Sequence, residues 1–134
     1  MGERIDLALL IRGAGAVAAA LWNALAPLVQ LLIILMALDI ITGIIAAFYR
    51  KAVSSEVAWR GIGKKMLVLV LVYGAYAIER YAALPVPLGV LIAGFYAAHE
   101  GLSILENAAA AGLPIPDALR EALAKLNPAK PNSR

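Results

Sequence analysis

Asp39 stands in the middle of the most apolar stretch of the chain, and its carboxyl is the first group that calls for a chemical role. Leu28 to Phe48 holds no other ionisable side chain, and at 1.5 Å per residue the run covers about 30 Å, one hydrocarbon thickness. A charge at that depth costs ~2.5–3.5 kcal/mol on insertion scales and is kept only against protein or water. Thr42 and Gly43 follow at i+3 and i+4, so one helix face offers a carboxyl, a hydroxyl and a position for close backbone approach. Two uses stay open for that face: a buried polar contact that fixes helix register, and a stripe that lines water.

A second group, His99, Glu100, Ser103, Glu106 and Asn107, recurs at steps of three and four and reads as one broad polar face of an otherwise apolar helix. Zinc requires three or four ligands, whereas the chain has one His, no Cys and no H-E-x-x-H spacing. Ser103 with His99 as base fits i,i+4 geometry, but no oxyanion motif or strained elbow accompanies the pair. The residues therefore point to no catalytic centre, metal or other cofactor. Electrostatics is the better use: Glu100 and Glu106 approach the end of the helix where Lys64 and Lys65 open another span and can reach a carboxylate. Glu79 and Arg80 are neighbours about 100 degrees apart on a helix, poor partners for each other. Each is expected to meet another helix or subunit, or for Arg80 the outer headgroups.

The elements that position these residues are membrane helices. Hydrophobic residues make up 63% of the 134 and the mean hydropathy is +0.83, more apolar side chain than a soluble domain of this size can bury. Leu28–Phe48 is the first secure span. Met66–Leu84 is the second, stopped by Pro85 and Pro87. A third starts near Leu88 and continues to Asn107, before Gly112, Pro114 and Pro116 forbid further helix. Ile5 to Ala26 is long enough to span but contains Arg12 and Asn23, so it is either a fourth span or an interfacial helix, with one Ala/Gly-rich face. Asp117–Leu126, with Asp117 as N-cap, forms a short amphipathic helix. The fold class is thus all-α integral membrane, with one domain over 1–126 and a flexible basic tail over 127–134. Glu3 and Asp6, with no basic run ahead of an apolar core, argue against a cleavable signal peptide.

The net charge of +3 reports topology. Arg50, Lys51, Arg60, Lys64 and Lys65 outnumber Glu56 in the connection at 49–65, which the positive-inside rule places in the cytoplasm. The Pro85/Pro87 turn is then outside. No basic groove interleaved with aromatic residues exists for nucleic acid.

Taken in order, several blocks resemble the phage holin family that includes toxin-secretion holins. They are Leu38-Asp39-Ile-Ile-Thr42-Gly43, Lys51-Ala-Val-Ser54-Ser55-Glu56 and Gly61-Ile-Gly-Lys64-Lys65. The series continues with Glu100-Gly101-Leu-Ser103-Ile-Leu-Glu106-Asn107 and Gly112-Leu-Pro114-Ile-Pro116. The likeness covers roughly residues 31–126. It implies accumulation in the bacterial inner membrane, then homo-oligomerisation into lesions that release an endolysin partner or a toxin. Small faces for helix association and polar residues at membrane depth suit such an assembly. The main rival is a small proton-coupled multidrug or cation transporter, which also carries a membrane-embedded carboxyl. Against it, Asp39 has no aromatic cage and the face from Glu100 to Asn107 would be unexplained.

Overall fold

A computed structural model describes residues 7–126 and arranges them as five helices: α1 (Leu7–Ala24), α2 (Pro27–Tyr49), α3 (Ser55–Tyr81), α4 (Leu88–Ala110) and α5 (Asp117–Leu126). The expected tail at 127–134 lies outside the described residues. The first four helices are long and apolar enough to cross a membrane.

α2, α3 and α4 form an antiparallel bundle in which α4 packs along both others while α2 and α3 meet more sparingly. Stripes spaced by threes and fours make this possible. Leu32 and Met36 on α2 meet Val72 on α3 and Ala93 and Ala97 on α4. The small residues on α4 let the heavier α2 side chains approach its backbone. This apolar core occupies the half of the bundle nearer the α3–α4 turn. α1 buries none of its residues; the Gln30 side-chain amide holds its end by donating to the Trp22 carbonyl (2.8 Å), and Pro27 starts α2 at a position where a missing N–H costs nothing.

All three bundle helices end in Schellman-type turns. The amides of Ala52, Leu84 and Leu113 reach back to the carbonyls of Ala47, Glu79 and Ala108, and Lys51, Ala83 and Gly112 take positive φ. Only the last is glycine.

Three expectations are corrected. The second span does not begin at Met66: α3 starts at Ser55, so Ser55, Gly61, Lys64 and Lys65 are helical and only Arg50, Lys51 and Ser54 belong to the connecting loop. The reason is local. Ser54 caps the helix by accepting from the Val57 amide, and Glu56 pairs with Arg60 at i,i+4 (2.7 Å), which adds a polar extension to the apolar span. Its other end is Tyr81 rather than Leu84, because Ala83 turns left-handed. Asp117 is the first residue of α5, and the Pro116 carbonyl receives the amides of Leu119 and Arg120.

Candidate functional site

The stripes that build the core continue towards the α2–α3 connection with polar residues at matching height. On α2 the sequence Leu32, Met36, Asp39, Gly43, Ala46 keeps steps of three and four, as do Ala93, Ala97, Glu100 and Asn107 on α4 with one step of seven. On α3 the face runs Lys65, Val68, Val72, Ala75, Glu79. Where the apolar residues stop, Asp39, Lys65 and Glu100 face one another.

Lys65 Nζ donates to Asp39 Oδ2 (2.9 Å) and to Glu100 Oε2, tying α3 to both neighbours with one ammonium. Glu100 is 5% exposed and is the buried charged residue among those described. Asn107 completes the cluster. Its amide donates to Asp39 Oδ1 (2.9 Å) and to Thr42 Oγ1 (3.1 Å), while Thr42 itself donates to the Asp39 carbonyl (3.1 Å). No buried side-chain nitrogen or oxygen among the described residues lacks a partner. Asp39 lies about 18 Å along α2 from its start and Glu100 about 18 Å along α4. The cluster is therefore deep in the span, where ions persist only if paired and hydrogen-bonded.

Gly43 explains how Asn107 reaches Asp39. A Cβ on Gly43 would stand 3.5 Å from Asn107 Nδ2, an ordinary contact, so Gly43→Ala should be tolerated. Gly43→Leu should push the amide off Asp39 and destabilise the bundle by about 1–3 kcal/mol, read as earlier unfolding on denaturant titration in micelles.

At the opposite end of the bundle the same α3 face finishes with Glu79, whose Oε2 accepts from the Gly89 amide (2.8 Å). That amide is an orphan donor of the first turn of α4, and a carboxylate there also meets the positive end of the helix dipole. Glu79→Gln keeps the acceptor and removes the charge, with an expected loss of about 0.3–1 kcal/mol. Glu79→Leu removes both and should cost about 1–3 kcal/mol. The same micelle titration would order the two.

The polar face expected on α4 divides. Glu100 and Asn107 enter the cluster, Ser103 lines a cleft beside it, and Glu106 is half-buried nearer the C-terminal end of α4, whereas His99 is exposed. Adjacent residues point about 100 degrees apart, so His99 and Glu100 cannot share a face. Arg80 is exposed. Contact between Lys65 and Glu100 is present as anticipated, but Lys64 is exposed. The bond of Lys65 to Asp39 goes beyond the sequence expectation, which pairs Lys64 and Lys65 with Glu100 and Glu106 alone. The position of Lys65 three residues before Val68 and seven before Val72 was the available signal. Glu79 meets another helix, as expected, and does so at the first turn of α4.

Comparison with known proteins gives a consistent picture. The model of the bacteriophage holin family matches residues 16–128. A Clostridium perfringens protein is 44% identical over 102 residues, 75% of each chain. A probable holin of Bacillus phage phi105 is 40% identical over 94 residues, 70% of each chain. A Listeria innocua protein is 34% identical over 110 residues, 82% of this chain and 79% of its own. No solved structure matches.

Proposed function

The chain belongs to the bacteriophage holin family and is a multi-pass protein of the bacterial inner membrane, and on that premise we propose that residues 1–126 act as one membrane domain that oligomerises into lesions. Through these an endolysin or a toxin leaves the cytoplasm. The action is a physical breach, with no catalytic role for any side chain.

The ionic cluster of Asp39, Lys65 and Glu100 carries this reading. Inside lipid, a single protomer keeps three charged groups only while they satisfy one another. In an assembly that encloses water, the same groups can be solvated or can pair across subunits, so the internal pairs need not persist. In this reading the protein therefore has two states: a protomer stored with its charges paired to one another, and an open assembly in which they face enclosed water or another subunit. The exposed side chains of Leu31, Ile34, Ile41 and Ile45 on α2 suit lipid or a second copy, and the small residues of α1, among them Gly13 and Ala16, suit close helix contact.

Liposomes loaded with one small and one large dye test the proposal. Reconstituted protein should release both without a pH gradient once its surface density passes a threshold. Retention of the large dye, with saturable cation flux coupled to pH, would assign the chain to the transporter class instead.

A further inference from the structure

A cleft of about 260 Å³ separates the cytoplasmic halves of α2 and α3, running from the connection between them to Asp39 and Lys65. Ser103 and Asn107 of α4 also line it, and its walls include the small residues Ala47 and Ala58. We propose that this cleft is a water-filled vestibule that brings water and small hydrophilic cations from the cytoplasm to mid-membrane within a single protomer, and ends there.

Size, the charged groups at its deep end and the polar side chains along it support that occupant. At roughly 30 Å³ per water in the liquid, the volume suits about eight molecules. Its wall is mostly apolar, but five polar side chains, Asp39, Ser54, Lys65, Ser103 and Asn107, are spread along it and provide the partners such waters need. The side chains of Asp39 and Lys65 keep 15% and 14% of their surface open despite their mutual bond. A lipid chain in the cleft would set those edges of two charged groups against methylene, which hydrocarbon cannot compensate. The cluster contains two carboxylates and one ammonium, so its field favours cations. Beyond it, Met36, Leu32, Val72 and Ala93 form a buried apolar core. They close the route to the outer face.

The chain contains no cysteine, so single replacements report water access directly. Ser103→Cys is nearly isosteric at the deep end, and Ala47→Cys sits on the wall. Ile41→Cys and Ile45→Cys, on exposed α2 positions outside the cleft lining, serve as depth-matched lipid-facing controls. Each full-length variant is placed in inside-out membrane vesicles that still retain an entrapped dye, which shows that no lesion has formed. The vesicles are then treated with a membrane-impermeant cationic methanethiosulfonate.

Ser103→Cys and Ala47→Cys should be modified within about ten-fold of each other in rate, and the two controls should stay unmodified. After normalisation to free cysteine, the cationic reagent should outpace an anionic one at Ser103→Cys about five-fold. Right-side-out vesicles should show no modification at that position. The proposal is overturned if Ser103→Cys and Ala47→Cys resist the impermeant reagent while a permeant maleimide modifies them, because lipid then fills the cleft. Equal rates for the two charges would overturn the cation preference, and modification from the outer side would overturn the seal. Because dye-retaining vesicles are used, the result does not depend on whether lesions form later.

Discussion

Lys65→Met is expected to lower the amount of protein held in the membrane by about ten-fold or more. The side chain that ties α3 to α2 and α4 is lost, and Asp39 and Glu100 remain deep in the bundle without a cation. Breaking a buried pair by removing one partner typically costs about 3–5 kcal/mol, a large part of the stability of a small helical protein. A chain so weakened is open to proteolysis and turnover. The charge account makes a second demand. Replacing the whole cluster, as Asp39→Asn with Lys65→Met and Glu100→Leu, leaves no unpaired ion and preserves an acceptor for the Asn107 amide, so accumulation should return towards that of the parent. Immunoblots of washed membranes after a chase read both variants. Normal accumulation of Lys65→Met, or failure of the triple variant to recover, would show that the three groups do not act as one unit.

The second large effect is steric. A Cβ on Gly89 would lie 2.4, 2.5 and 2.7 Å from three carbons of the Tyr76 ring, distances that real Cβ atoms essentially never show. The ring cannot be answered by a small slide of α4, because the Gly89 amide is bonded to Glu79 on the same helix as Tyr76. Gly89→Ala should therefore cost about 1–3 kcal/mol through overpacking and Gly89→Val more. Adding Tyr76→Ala empties the contested space, so the cost of Gly89→Ala should be much smaller in that background. A double-mutant cycle by denaturant titration in micelles measures the coupling. Equal costs of Gly89→Ala with and without the tyrosine would contradict the contact.

How much of this was legible in the sequence depended on the kind of signal. α2 and α4 announced themselves, since an apolar run bounded by Pro27 or by Pro87 and Gly112 leaves few alternatives. The side of α2 that matters was also readable, because Asp39, Thr42 and Gly43 share a face by spacing alone. α3 was read short because hydropathy registers apolar residues. A span that starts with a polar extension is instead marked by the Ser54 cap and the Glu56–Arg60 pair, and those signals were given to a loop. The sequence puts Lys65 within reach of Glu100, whereas its second bond, to Asp39, depends on helical register with Val68 and Val72. The Gly89–Tyr76 contact could not be read at all. It depends on two helices crossing at one height, which single-helix periodicity does not encode. The cleft belongs to the same class, being space left between α2 and α3 rather than a property of either.

The central claim is that the stored protein becomes a hole. Controlled expression in bacteria that also contain an endolysin, with membrane potential and a released cytoplasmic enzyme followed together, tests it most directly. The account predicts a silent period during which protein accumulates and potential is kept, then abrupt depolarisation with enzyme release and lysis. Cells that keep their potential and contents while the intact protein fills the membrane would contradict it.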